Sequence, residues 1–415
     1  MNGEHLRGEP VMNANKLWSA DFIKICLSSF FLFFAFYTLA TALSVYVTNG
    51  LGGSDTQAGL SMTVFVIASV LLRPFAGQLM TRYGERKIVI ISLLLFLLFS
   101  IAYLGVFGYA MLLLVRFFHG GTFAIATTST NTTAIGIIPE HRKGEGISYF
   151  SLFMSLAMVI GPFVGLTITT HGGFTAMFAL CAVCALISFL LGASTKGQSS
   201  IAKAKQPIIR TKSKLHWRDL VERKAVPIAI SGFVVAFAYS GLVTFMSVYA
   251  HEQAIDQYAS YFFVCFGIMI VLPRPIVGKL LDRVGEHVIV YPSIAIFAIG
   301  MLLLSQASSP VLLLVSGAVI GLGYGALLPC FQTIAILAAP AHRRGLATAT
   351  FYLLFDLGYG IGSYTLGSLA SSYGYSAMYV LCAIIIALSS VIYFTLHHKR
   401  KRMMATSDDN AYSSS

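Results

Sequence analysis

Twelve long apolar runs constrain this chain more than any other feature. They lie roughly at 21–47, 57–80, 88–106, 109–137, 146–169, 174–193, 226–250, 257–281, 288–305, 310–338, 345–370 and 375–396. Each is bounded by Gly, Pro or charged residues, and each is long enough to cross a hydrocarbon layer about 30 Å thick as a helix. Lipid offers a backbone no hydrogen bonds, so a crossing segment must satisfy its own amides, which an α-helix does. The expected fold is an all-α integral membrane protein with twelve transmembrane helices. Composition closes off the alternative of a large soluble core. Only 11% of the 415 residues are charged and 57% are hydrophobic, whereas soluble domains carry about 25% charged residues.

The net charge of +12 raises the question of nucleic acid, and its placement answers it. The connections after the odd-numbered runs carry Asp55, Glu252, Asp256 and His171 but none of the 28 Lys and Arg. The basic residues collect on the other side, at Arg82, Arg86 and Lys87, at Arg142 and Lys143, from Lys196 to Lys224, at Arg343 and Arg344, and from Lys399 to Arg402. The positive-inside rule makes that side cytoplasmic, with both termini on it. The basicity therefore points to a lipid bilayer as partner and not to nucleic acid. All six Cys lie within apolar runs and read as small core residues. Cys181 and Cys184 lack the second pair or His of a zinc site, so no metal is expected. The first run exceeds the length of a signal-peptide core and should stay in the mature protein.

The chain repeats itself. Arg73 to Ile90 realigns 201 residues later with Arg274 to Tyr291, with nine of eighteen positions identical, and Pro139-Glu-His-Arg-Lys-Gly realigns at the same offset with Pro340-Ala-His-Arg-Arg-Gly. Transporters of several folds are built from duplicated bundles. The expected organisation is a tail over 1–20, a six-helix bundle over 21–193, a basic cytoplasmic linker over 194–224, a second six-helix bundle over 225–396, and a tail over 397–415. The bundles should be pseudo-symmetric.

No Walker loop, HExxH or GxSxG motif is present, so neither nucleotide chemistry nor catalysis is expected and no cofactor is implied. Uphill movement of a solute would then need an ion gradient, and ionisable groups inside the bilayer become the candidates because they are costly to keep there. Fifteen of the sixteen acidic residues lie in tails, connections or run ends. The other, Asp356, sits roughly 18 Å along run eleven from Arg344 at about 1.5 Å per residue. It is either a proton-coupling site or the static partner of Arg73, which lies at comparable depth in run two. In run four, Arg116, His119, Phe123, Thr127 and Thr130 recur on one face, and Asn131 extends the polar stripe, so Arg116 and His119 are further coupling candidates. In run five, Gly161 and Gly165 permit close helix approach and Pro162 frees a carbonyl, which suggests a hinge. Tyr37, Tyr46, Tyr239, Tyr249, Tyr324 and Phe331, with Thr127 and Asn131, are candidate cavity residues for an amphiphilic solute.

These motifs resemble the major facilitator superfamily, and more narrowly its twelve-helix drug and metabolite proton-antiporter branch. The signature G-x-L-x-D-R-x-G-R-K appears as Gly77, Leu79, Arg82, Gly84, Arg86 and Lys87, with Thr81 in place of the Asp. Its second copy keeps Gly278, Asp282, Arg283 and Gly285 after Arg274. The resemblance implies that this connection locks the cytoplasmic side. R-x-x-Q-G appears as Arg116 and Gly120 with His119 in place of Gln, implying a role for Arg116 in proton transfer. G-x-x-x-G-P-x-x-G appears as Gly161, Pro162 and Gly165 with Ala157 at its first position, and this pattern is similar to that of exporters.

The expected function is proton-coupled efflux of a small amphiphilic or lipophilic molecule by alternating access, carried out by a monomer in the cell membrane. The partners are a small-molecule substrate, protons and the lipid bilayer. The rivals are proton-coupled uptake of a metabolite and a non-transporting receptor or scaffold. The short external connections oppose the last.

Overall fold

The computed structural model describes residues 17–139, 142–195, 221–273, 285–340 and 344–398. These form ten α-helical elements: α1 Ala20–Val45, α2 Asp55–Tyr83, α3 Glu85–Ala102, α4 Tyr109–Ile137, α5 Lys143–Ser194, α6 Val226–Glu252, α7 Ala259–Val271, α8 His287–Ser305, α9 Pro310–Leu337 and α10 Arg344–Tyr393. No strand occurs among the described residues. Nine helices are long and apolar enough to cross a membrane among those residues, and α7 is a shorter apolar one.

Helix starts are written locally. The Ser19 hydroxyl accepts from Phe22 N at 3.2 Å. Ser54 and Gln57 form a reciprocal capping box at the start of α2, and Pro310 follows the Ser309 cap at the start of α9. Each device satisfies an amide that the first helical turn leaves orphaned.

α5 and α10, with 52 and 50 residues, are each too long for one crossing. Each is broken once, at Gly173 (φ 74°) and Gly374 (φ 80°), a backbone region that side chains with a Cβ avoid. The breaks divide ten elements into twelve helical segments among the described residues, consistent with twelve crossings.

The duplication is visible in the backbone. Gly84 (φ 91°) and Gly285 (φ 84°) turn the chain before α3 and α8, and Gly173 and Gly374 break α5 and α10. Both pairs carry the 201-residue offset of the sequence repeat. Packing follows the same symmetry. α1 lies on α5, α2 on α4, and α3 on α4 and α5, and the same arrangement recurs as α6 on α10, α7 on α9, and α8 on α9 and α10. The halves meet where α2 packs on α10, α5 on α7 and α1 on α6.

Small residues set these approaches. A Cβ at Gly120 would stand 2.1 Å from the Phe65 carbonyl oxygen, and one at Gly321 2.2 Å from that of Phe266. Only glycine lets the facing backbones come this near, and dispersion contacts reward the closeness where lipid supplies no hydrophobic force between helices.

Candidate functional site

The midplane residues assemble along the seam between α2 and α10. Arg73 comes from α2, one residue before a proline that the helix absorbs. Asp356 comes from α10. Nη2 of Arg73 meets Oδ2 of Asp356 at 2.7 Å, with the side chains 23% and 24% exposed. The pair therefore joins the two halves. The static-pair alternative for Asp356 thus has a geometric basis, and so does a switch, because any proton taken up by Asp356 removes the charge that holds Arg73.

Contacts between the halves continue from this pair toward the end that carries Asp55 and Asp256. Thr63 donates to the Gly360 carbonyl at 2.6 Å. The hydroxyls of Thr56 and Ser371 lie 3.3 Å apart, and Tyr375 donates to Asp55 Oδ1 at 2.5 Å. On the opposite seam Thr167 donates to Ser260 at 3.2 Å. A Cβ at Gly59 would stand 2.1 Å from the Ser363 carbonyl oxygen, and one at Gly267 would stand 2.1 Å from Val159. Every bond named here lies on the Asp55 side of the Arg73–Asp356 pair, so among the described residues the halves are sealed at that end.

Tyrosines from four helices form a cluster that reaches Asp356 through Tyr37. Tyr239 of α6 and Tyr324 of α9 stack with ring centroids 4.1 Å apart and planes 11° apart, and Tyr359 of α10 closes on Tyr239 at 6.2 Å. Tyr37 of α1 lies in the electrostatic reach of Tyr359, Tyr352 and Asp356. Tyr352 and Tyr359 were legible in principle, four residues before and three after Asp356 on the same helical face.

Arg116 is fully buried in α4. Its Nε donates to the Ser61 carbonyl at 3.2 Å, its Nη2 to Met62 Sδ at 2.7 Å, and its guanidinium covers the Phe65 ring at 4.3 Å. No carboxylate forms an ion pair with it among the described residues. Tyr103 stands beside the guanidinium, and its hydroxyl meets His119 Nδ1 at 3.2 Å. Ser100 meets His119 Nε2 at 3.1 Å, and Phe96 stacks on the imidazole at 4.3 Å. His119 thus has both nitrogens occupied and serves Arg116 through Tyr103. Ser100 and Tyr103 come from the end of α3, a contact that no spacing in α4 announces.

Several sequence candidates stand elsewhere. Tyr46 packs on Phe174 and Phe178, Tyr249 on Tyr375 and Tyr379, and Phe331 on Tyr393. These three do not reach the cluster because each ring is taken up by packing within its own half. Thr127 turns its hydroxyl back to Phe123 O at 2.9 Å, whereas Asn131 is exposed. At the expected hinge α5 is helical through Pro162, Thr38 donates to the Gly161 carbonyl at 2.9 Å, and Gly165 abuts Thr38. Gly77 is exposed, as are Arg82, Arg86 and Lys87 beside the Gly84 turn, with Arg82 over the Tyr83 ring at 5.3 Å. Arg274, Gly278, Asp282 and Arg283 lie outside the described residues, whereas Gly285 is placed at its turn.

The sequence profile of the Major Facilitator Superfamily matches residues 25–304 and 263–407. The protein belongs to the major facilitator superfamily. Its similarity extends to the staphylopine export protein of Staphylococcus aureus, at 21% identity over 86% of this chain and 92% of that protein. The multi-drug resistance efflux pump PmrA of Streptococcus pneumoniae is 24% identical over 84% of this chain and 88% of its own. Among solved structures, a mutant form of the nucleoside transporter NupG superposes with a TM-score of 0.73 at 14% identity, over 91% of this chain and 100% of that one. Membership of this superfamily makes the chain an integral membrane protein of a transporter family and not an enzyme.

Proposed function

We propose that this superfamily member is a proton-coupled exporter of small amphiphilic or lipophilic molecules, working by alternating access as a monomer in the cell membrane. The single observation that carries the reading is the Arg73–Asp356 pair, which ties α2 to α10 across the two halves at mid-depth. With the basic connections and both termini on the cytoplasmic side, the sealed end faces outward and the site is reached from within. The bundles 21–193 and 225–396, tethered by the basic segment 194–224, are the units that rock.

The chemistry follows from charge balance. While Asp356 is ionised it holds Arg73 and keeps α2 against α10. A substrate that enters among Tyr37, Tyr239, Tyr324 and Tyr359 offers an aromatic or cationic surface to these rings. Substrate binding parts this seam toward the outside, and there Asp356 takes up an external proton as the substrate leaves. Releasing that proton to the cytoplasm on the return restores the pair with Arg73 and closes the outer end, so protons enter as the solute is exported. Arg116 supplies a fixed positive charge in the same half as Arg73, held beside Tyr103. The names of the staphylopine export protein and PmrA support the outward direction.

Inverted membrane vesicles with an internal-pH dye test this reading. After energisation, candidate compounds should release protons from vesicles holding the wild type and not from those holding Asp356→Asn. Equal release from both proteins overturns the coupling role, and proton entry into right-side-out vesicles on addition of the compound points to uptake.

A further inference from the structure

On the outer wall of the first half, away from the seam, α2, α3 and α4 enclose a groove of about 330 Å³. Leu79 and Tyr83 line it from α2, Lys87, Ile88, Ile91, Ser92 and Leu95 from α3, and Thr122 and Ile125 from α4. Tyr83, Lys87, Ile91 and Leu95 are exposed, so the groove is open along its side, with Lys87 at its basic end. It runs along the helices: from Lys87 to Leu95 is eight residues, about 12 Å at 1.5 Å per residue.

Its chemistry is graded from mouth to floor. At the mouth Lys87, Arg86 and Arg82 are all exposed, and the nearest carboxylate on the same helix, Glu85, is turned away by accepting from Thr133 of α4 at 2.6 Å. Deeper, the walls are aliphatic. The two floor hydroxyls are already committed: Ser92 donates to Val89 O at 3.2 Å, and Thr122 donates to His119 O at 2.9 Å. Both hydroxyl protons are used, so the floor donates no hydrogen bond to a guest. A cationic rim over a dry aliphatic slot fits one chemistry, an anion joined to a hydrocarbon chain.

We propose that this groove binds one anionic phospholipid from the leaflet at the basic end, with the phosphate on Lys87 and the flanking arginines and an acyl chain along Ile91, Leu95 and Ile125. The chain then lies against the turn of α4 that carries His119, Gly120 and Gly121, where Ser69 donates to the Gly120 carbonyl at 2.7 Å and binds α2 to α4.

The test is native mass spectrometry of the full-length protein in detergent, titrated with phosphatidylglycerol or phosphatidylcholine of matched chains. The wild type should retain one phosphatidylglycerol in preference to phosphatidylcholine. A basic side chain at an anionic surface contributes a factor of about five, so Lys87→Gln should cut that preference about fivefold. Filling the slot from either side, with Ile91→Trp or Ile125→Trp, should reduce retention of both lipids. Lys224→Gln, a basic exposed residue remote from the groove, should keep the wild-type preference, and all variants are compared at equal elution volume. If one tryptophan variant fails to fold, the other decides. Equal retention of the two lipids by the wild type overturns the proposal. So does a preference unmoved by Lys87→Gln, or retention unmoved by the tryptophan that folds.

Discussion

Breaking the Arg73–Asp356 pair one partner at a time should cost far more than removing both. At 2.7 Å and an effective dielectric of about 20, two unit charges attract by roughly 6 kcal/mol. Part of this is cancelled because both groups gave up water on folding, and with side chains 23% and 24% exposed they gave up most but not all of it. A coupling of about 4–5 kcal/mol, the two single losses less the double one, is the expected remainder. Arg73→Gln leaves a desolvated carboxylate facing α2, and Asp356→Asn leaves a guanidinium, so each single variant should lose about 3 kcal/mol. Arg73→Gln with Asp356→Asn replaces the ions by amides able to bond each other and should lose only about 1–2 kcal/mol. The cysteines give the readout. Five of the six are buried and Cys265 is half-buried, so a thiol-reactive dye reports unfolding in mixed micelles titrated with a denaturing detergent. A double-mutant cycle over the four proteins isolates the pair. Strict additivity, with coupling below about 0.5 kcal/mol, would refute the argument that the pair joins the halves.

Three other outcomes are expected. With Thr56 and Ser371 hydroxyls 3.3 Å apart, the Thr56→Cys, Ser371→Cys pair should oxidise to a disulfide that stops transport and restores it on reduction; unimpaired transport by the oxidised protein would show that the sealed end need not open. Gly120→Ala places a Cβ 2.1 Å from a backbone oxygen that cannot swing away, and overpacking of that kind costs about 1–3 kcal/mol, which the same dye assay would register as earlier unfolding. Arg116→Lys keeps the charge but loses the fork that reaches Ser61 and Met62 together and the flat contact with Phe65. Transport should fall at least tenfold with expression unchanged, and wild-type rates would mean that charge alone is needed there.

The crossings were legible because their cause is local. A run of twenty apolar residues meets lipid whatever its neighbours are, and the exclusion of Lys and Arg from alternate connections needs no partner to be read. Asp356 stood out for the same reason, as the lone carboxylate deep in a run. The repeat announced the pseudo-symmetry, and Gly84, Gly285, Gly173 and Gly374 carry it into the backbone. Aromatic residues were harder. Tyr37, Tyr239 and Tyr324 reach the seam, while Tyr46, Tyr249 and Phe331 serve packing inside one half, and all six sit in equally apolar stretches. Nothing in their neighbourhood along the chain distinguishes them, because a transmembrane helix buries one face against protein and another against lipid with much the same residues.

Hydropathy, charge placement and the 201-residue offset are properties of stretches, and they were enough to define helices that cross a membrane in two related sets. Which side chains meet is a property of pairs far apart along the chain. Asp356 and Arg73 come within 2.7 Å because glycines at 59, 360 and 367 let α2 and α10 pack closely. His119 reaches Tyr103 and Ser100 because Gly120 draws α4 against α2 and leaves its other face to α3. In lipid no water remains to satisfy a stray polar group, so these partners are selected by which helices can approach, and that is resolved only when the helices assemble.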